Sequence, residues 1–378
     1  MKKNLILVFL VMFVFFGCSK KIETRISTPP STPTMITEDD RNISIIQEGD
    51  EKTLEIKEPS IMMPLPKEII IKKEKIAVVF ASKVVGRYGN DAVNTIIAYS
   101  MLKEIDFEIK VYDTLHETQD NIEQAFNELK YLGFTKVIAL FANDNSVLYI
   151  PNNSIKVYIP TLHKKNAPSF AGSNVIYGSI DYEEQFKQLL NFSNGNLSEI
   201  YNTDKISIIF NQFLRKNGLA VSSKYDVTNP TINYKNIFST NTKLENSTLF
   251  INSTVLQTAI VLSQLRVYEI NPQVILSTQL NYNPLILSLS QFEDRKSLLI
   301  ANSIGKVHSK LKAISTLLGS DIEYNWVNFS TLVGMKELLF INDQNISGYT
   351  LQNNQILFDI TIYKPAQYSF VEVSSPQQ

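Results

Sequence analysis

The amino-acid sequence predicts an α/β fold arranged as two doubly wound lobes behind a disordered tether. Three observations lead there. From Lys75 onward, short apolar runs alternate with segments of helical periodicity. Many of the runs are apolar throughout, as strands covered on both faces of a parallel sheet require. The chain, at 378 residues, is long enough for two domain-sized cores.

The elements follow in order. Ile76–Ala81 predicts a first strand, and Val93, Ile96, Ile97, Met101 and Ile105 form a helical stripe behind it. Phe107–Tyr112 predicts a second strand. Thr118–Leu132 predicts a second helix, with Ile122, Ala125, Phe126, Leu129 and Leu132 on one face and Gly133 as its stop. Lys136–Phe141 is a third strand, and two strand–helix–strand crossovers in succession imply a parallel sheet with right-handed connections. Further strands are expected at Ile155–Ile159, Val175–Tyr177, Lys205–Phe210, Thr248–Ile251, Val274–Leu276 and Leu298–Ala301. Helices are expected at Tyr182–Phe192, Thr254–Ile270 and His308–Leu318, and an antiparallel hairpin within Asp343–Val373.

Composition narrows the function. Lys plus Arg number 36 and Asp plus Glu 37, a formal net charge of -1. That balance argues against a basic nucleic-acid binder. The single cysteine, Cys18, excludes a disulfide framework within the chain. His116, His163 and His308 are the only histidines, so a three-histidine metal centre would need all of them. No metal and no cofactor is expected. The G-x-S-x-G, H-E-x-x-H and calcium-loop patterns are absent, and the chain is expected not to be an enzyme.

The N-terminus carries an address. Met1–Asn4 is basic and Leu5–Phe16 is unbroken apolar, too short for a hydrocarbon core of ~30 Å but of signal-peptide length. Gly17-Cys18 closes the run and resembles the bacterial lipobox, which implies cleavage after residue 17 and lipidation of Cys18. Ser19, a non-acidic residue after the cysteine, implies sorting to the outer membrane, facing the periplasm. Residues 18–74 hold Pro29, Pro30, Pro33, Pro59, Pro64 and Pro66 without apolar periodicity, the texture of a disordered linker. Fully extended it would reach ~190 Å.

The run Ile76–Phe80, Ser82 and the turn Gly86-Arg87-Tyr88-Gly89 resemble the start of the binding-fold domain in lipoprotein activators of penicillin-binding proteins. Tyr182-Glu183-Glu184-Gln185 opening a helix, with Lys205–Phe210 as the strand after it, is similar to the start of that fold's second lobe. The resemblance implies a type I periplasmic-binding fold, with lobe one at 75–180 plus 306–342 and lobe two at 181–305 plus 343–375. It places the cleft at the carboxyl ends of the strands. It also implies an envelope lipoprotein that binds a protein partner, a cell-wall synthase among the candidates. The alternative is a solute receptor of an ABC-type transporter for an amino acid or related small molecule.

Candidate binding residues lie in the loops that follow predicted strands. Ser82, Gly86, Arg87 and Tyr88 form the first turn, where glycines allow a tight bend, Arg87 supplies charge and Tyr88 a stacking face. Asn143 and Ser146 follow the third strand. Amino-acid receptors of this fold carry a Gly and Ser/Thr pair there, leading into a full helix, whereas this loop is short and broken by Pro151. Thr161 and His163, beside Lys164 and Lys165, follow the next strand. Asp40–Ser44 and Asp343–Ser347 share an acidic-x-Asn-x-Ser pattern similar to an extended N-glycosylation acceptor, which makes Asn42 and Asn345 candidate sites.

Overall fold

The computed structural model describes residues 73–374, apart from 153, 170, 171, 203, 230, 240 and 241. The signal-like run, Cys18, Asn42 and the expected linker up to position 72 lie outside the described residues.

The chain begins with β1 (Glu74–Phe80), α1 (Ser82–Val85), α2 (Tyr88–Lys103), β2 (Phe107–Asp113), α3 (Gln119–Tyr131) and β3 (Lys136–Leu140). A short 3-10 turn (Asp144–Tyr149), β4 (Lys156–Ile159) and β5 (Val175–Tyr177) follow. The chain then leaves for a second lobe: α4 (Tyr182–Leu190), β6 (Leu197–Tyr201), α5 (Asp204–Lys216), β7 (Ser223–Asp226), α6 (Tyr234–Phe238) and β8 (Thr248–Asn252). That lobe continues through α7 (Val255–Val267), β9 (Val274–Ser277), α8 (Leu285–Leu289), α9 (Phe292–Arg295) and β10 (Leu298–Asn302). It returns for α10 (Ser309–Leu317) and α11 (Trp326–Leu339) and closes with β11 (Tyr349–Gln352), β12 (Gln355–Phe358), β13 (Thr361–Pro365) and β14 (Phe370–Val373).

Two seven-stranded sheets result, ordered β11-β12-β5-β4-β3-β1-β2 and β14-β13-β10-β9-β8-β6-β7. Six consecutive strands of the first sheet and five of the second run parallel, and antiparallel pairs arise only within the two hairpins and where β13 meets β10. β1 is an interior strand, between β3 and β2, and is apolar on both faces. Ile76, Val78 and Phe80 pack under α2 and α11, while Ala77 and Val79 pack under α3. The second sheet is covered in the same way, by α7 on one face and by α4 and α5 on the other. Phe186, Phe210 and Phe250 stack there with centroids 4.4–6.0 Å apart.

Two expectations are overturned. Lys205–Phe210 is not a strand but the first half of α5. Ile206, Phe210, Phe213 and Leu214 are buried whereas Ile208 is exposed, a helical rather than alternating pattern. The strand lies upstream at β6, whose central Glu199 disguises it. That carboxylate is wholly buried and is met by Lys224 at 3.3 Å and by the side-chain amide of Asn252 at 2.8 Å. The second correction concerns the close of the chain. The segment 343–375 was expected to belong wholly to lobe two, with one hairpin. It makes two hairpins, and β11–β12 joins the first sheet through β5, while β13–β14 joins the second through β10. Pairing Gln355 onto Tyr177 covers an otherwise open edge of the first sheet.

The chain therefore passes between lobes at 178–181, 303–308 and 359–360. The second and third passages meet the same loop of lobe one, at 347–348. Ser347 N–H donates to the Lys306 carbonyl at 3.2 Å, and Asp359 N–H to the Gly348 carbonyl at 2.9 Å. Gly305 and Gly348 lie face to face, so a methyl group on Gly305 would overlap the Ser347 carbonyl oxygen. Rings add a second clasp: Tyr324 of lobe one lies 5.5 Å from Tyr282 and 6.2 Å from Phe370 of lobe two. Among the described residues no helix is long and apolar enough to cross a membrane.

Candidate functional site

The carboxyl ends of both sheets face each other across the cleft, the usual ligand position of open α/β sheets. On lobe one, the first turn is fixed from below. Asp113, at the end of β2, accepts the N–H groups of Ser82 at 3.0 Å and Leu115 at 2.8 Å. Burial acts to raise the Asp113 carboxyl, but these bonds and the Ser82 hydroxyl prevail and hold it below the usual carboxylate range. Ser82 is thus spent on the turn itself. Gly86, at φ 56°, reverses the chain after α1, and Arg87 and Tyr88 follow it at the cleft mouth. The Arg87 guanidinium lies 3.8 Å from Asp91 one helical turn on. Burial raises the Asp91 carboxyl, Arg87 opposes the rise and Asp321 adds to it.

Arg87, Tyr88 and Asp91 share a pocket of about 390 Å³ with Tyr182 and Gln279 of lobe two and Trp326 and Asn328 of lobe one. The lobe-two wall has a distinct chemistry. Three adjacent strands end in buried polar residues: Asn252-Ser253 after β8, Ser277-Thr278-Gln279 after β9 and Asn302-Ser303 after β10. Gln185 from α4 ties two of them together. Its Nε2 donates to Ser303 Oγ at 2.7 Å and its Oε1 accepts the Gln279 N–H at 2.9 Å. Gln279 Oε1 in turn accepts the Ser303 N–H at 2.6 Å.

The loop after β3 brings Asn143 and Ser146 together, around a residue that sequence reasoning passed over. The Glu117 carboxylate accepts the N–H of Ala142 at 2.7 Å, the N–H of Asn143 at 3.0 Å and the Ser146 hydroxyl at 2.6 Å. A built anion cradle is therefore filled by the chain's own side chain. Thr161 is equally committed: its hydroxyl donates to the Phe141 carbonyl at 2.6 Å and accepts the Phe141 N–H at 3.2 Å.

His163 sits at the first passage between lobes. Its Nδ1 accepts the Lys165 N–H at 3.2 Å, and its Nε2 lies 3.6 Å from Asp181, the residue that caps α4. Lys165 Nζ reaches Asp181 at 2.5 Å and Glu183 at 3.1 Å. Burial lowers the His163 pKa from its ordinary 6.5, and Asp181 only partly offsets this. The unfolded chain therefore takes up this proton first, so stability falls as pH drops below about 6.5. In urea-unfolding midpoints measured from about pH 7 to about pH 5, His163→Gln is expected to show a flatter profile than the parent chain. Parallel profiles would remove His163 from the account. At the other candidate, Asn345 donates from Nδ2 to Asp343 at 2.8 Å, and Asp343 is buried and paired with Lys103 at 2.9 Å. The acidic residue of that acceptor pattern is thus turned into the core.

The structure thus gathers Arg87 and Tyr88 at the interlobe pocket, Asn143 and Ser146 at the Glu117 cradle, and leaves Ser82, Thr161 and His163 in local bonds. Sequence reasoning missed the lobe-two polar tier. Its signal was present: an apolar strand followed at once by Asn, Ser or Thr pairs, three times over.

No protein-family model matches the chain, and no curated protein matches it either. Solved structures do. LpoA of Haemophilus influenzae, in a monoclinic form, is 12% identical with a TM-score of 0.55, over 80% of this chain and 58% of that one. The chain thus spans less than two thirds of that protein. The LpoA C-domain from the same organism, described as a regulator of PBP1A, is 11% identical with a TM-score of 0.51, over 80% of this chain and 100% of that one. A branched-chain amino acid ABC transporter protein from Thermus thermophilus with bound valine is 10% identical with a TM-score of 0.56, over 81% of this chain and 97% of that one. These likenesses establish the fold: a two-lobed periplasmic-binding architecture common to both kinds of protein.

Proposed function

We propose that the chain is a non-enzymatic envelope lipoprotein, anchored through Cys18 in the outer membrane, whose two-lobed domain docks a protein partner of the peptidoglycan-synthase class. The observation that carries this reading is an exposed apolar face on lobe two. α7 is apolar on much of its circumference, and a helix of that kind is ordinarily covered on most sides. Here Leu256 and Val267 are 60% and 65% exposed. Leu285 and Leu289 of α8 and Phe292 of α9, the helices packed beside α7, are exposed as well. Exposed apolar side chains gathered on neighbouring helices suit a contact with another macromolecule. The fold shared with LpoA, the C-domain of which is described as a regulator of PBP1A, supports this choice of partner class.

The Glu117 cradle weighs against the solute-receptor alternative. A free amino acid would have to displace a carboxylate already held by three donors.

Binding of the full chain to purified peptidoglycan synthases of its source is the test. Leu256→Glu and Val267→Glu are expected to weaken it at least ~10-fold, about 1.4 kcal/mol, with the unfolding midpoint unchanged because both positions are exposed. Absence of binding to every synthase, or equal binding by both variants, would overturn the assignment.

A further inference from the structure

We infer that the end of lobe one opposite the cleft rests on a lipid bilayer, with Met101, Tyr131 and Phe340 entering the headgroup region. The inference rests on the lipid anchor proposed above and is independent of the docking face on lobe two. In a parallel α/β sheet the helices run back against the strands, so they end where the strands begin. Three helices of lobe one end there, and each displays one large apolar side chain in its last turn or cap. These are Met101 on α2, Tyr131 on α3 and Phe340 after α11, 58%, 89% and 74% exposed. Three contacts hold the helix ends to the strand starts. Glu74 N–H donates to the Asp106 carbonyl beyond α2 at 2.9 Å. Lys75 Nζ donates to the Leu132 carbonyl beyond α3 at 3.1 Å. Lys156, the first residue of β4, holds its Nζ 4.1 Å from the centre of the Phe340 ring.

Phe340 points most directly to a use outside the fold. It caps α11 at φ 53°, a left-handed position that favours glycine and strains a bulky L residue. Among the described residues with positive φ it is the only aromatic one. Strain kept at an exposed ring, instead of relieved by glycine, is the mark of a functional contact.

The occupant follows from where the chain enters and from the charges around the three side chains. Residues 1–72, which include Cys18, join the domain at Lys73, on this same end. A coil from Cys18 to Lys73 has a typical span of ~40 Å, so an anchored domain meets the bilayer at high local concentration. Met101, Tyr131 and Phe340 stand apart around the end of a sheet, on both its faces. A fluid interface accepts such side chains one by one, whereas a protein groove needs them contiguous. The ion pairs of this end are Lys73–Asp106, Lys75–Glu108, Lys103–Asp343 and Lys136–Glu74. Lys130, Lys156 and Glu104 lie outside ion pairs among the described residues. Aromatic rings beside lysines have the composition of a membrane–water boundary. The near balance of charge assigns the binding to apolar insertion, not to attraction by anionic lipid.

The test uses the processed chain from position 18 with Cys18→Ser, so that no acyl chain contributes, and its sedimentation with vesicles of phosphatidylethanolamine and phosphatidylglycerol. Binding is expected to be saturable and to change little between low and high salt. The combined variant Met101→Ser, Tyr131→Ser, Phe340→Gly is expected to bind at least ~10-fold more weakly. Phe340→Gly alone is expected to weaken binding while unfolding at no lower temperature than the parent, because glycine relieves the backbone. A ring kept for the fold would instead lower that temperature. Leu256→Glu is expected to bind vesicles as the parent does. No binding by the parent, or equal binding by the combined variant, would overturn the inference. So would binding abolished by salt, which marks lysines adsorbing to anionic headgroups, or binding lost in Leu256→Glu, which places the contact on lobe two. Failure here leaves the synthase docking and its own variants untouched.

Discussion

Replacing Glu117 with alanine is expected to lower the unfolding free energy by about 2–3 kcal/mol and the thermal midpoint by roughly 5 °C. The carboxylate receives three charge-assisted bonds, from two backbone N–H groups and the Ser146 hydroxyl. Ala142 and Asn143 lie at the surface, where water can replace the lost acceptor, but Ser146 is wholly buried and its hydroxyl would be stranded. The cavity left by the side chain is shaped for a small carboxylate. Added acetate should therefore restore part of the lost stability, whereas chloride at equal ionic strength should not. Glu117→Gln should fall between, since its amide carbonyl accepts but carries no charge. A variant as stable as the parent, or one indifferent to acetate, would mean that the loop holds its shape without the carboxylate.

Substituting Gly305 by alanine is expected to cost about 1–3 kcal/mol, the range for forcing an extra methyl into a packed site. The obstacle is backbone, the Ser347 carbonyl, which no rotamer change can move aside. The second passage would have to draw away from the 347–348 loop of lobe one, breaking the Ser347–Lys306 bond and disturbing the Asp359–Gly348 bond by which the third passage meets the same loop. The variant should thus change the angle between lobes as well as stability. Urea unfolding reads the first effect and small-angle scattering the second. Gly348→Ala meets a different penalty: at φ 90° an L side chain is strained whatever the space around it. If Gly305→Ala matched the parent in both measurements, the contact of the second passage with the 347–348 loop would not set the lobe angle.

The parts of this molecule that were legible in the sequence are those governed by one dominant force. β1 and β3 announce themselves because burial on both faces needs consecutive apolar residues, β2 by its apolar–polar alternation at the sheet edge, and α3 because one face of it is wet. α11 was not seen: Val327, Phe329, Leu332, Val333, Met335 and Leu338 are all buried, and a helix enclosed on every side has no periodic stripe. β6 was hidden by Glu199 and α5 mistaken for it, because Ile206-Ser207-Ile208-Ile209-Phe210 reads as a strand until the periodicity downstream is included. At the site, the first turn was legible from Gly86 and its neighbours. The Glu117 cradle was not. It joins the loop after β2 to the loop after β3, a contact that only the order β3-β1-β2 creates. The lobe-two tier was overlooked for a different reason. Each Asn or Ser pair is unremarkable alone, and only strand adjacency makes three pairs into one surface.

The two terminal hairpins have a consequence for how the protein is made. Lobe one comes first in the chain, yet its sheet stays one hairpin short until β11 and β12 exist, because Tyr177 must wait for Gln355. Lobe two likewise waits for β13 to cover β10. Neither lobe can finish folding while the last strands are still to be synthesised, and both must present a bare sheet edge in the interval. Such late, non-local closure slows folding and exposes the nascent chain to edge-to-edge association. Loss of even the final thirty or so residues by premature termination would leave two incomplete sheets, not one intact lobe and one damaged one.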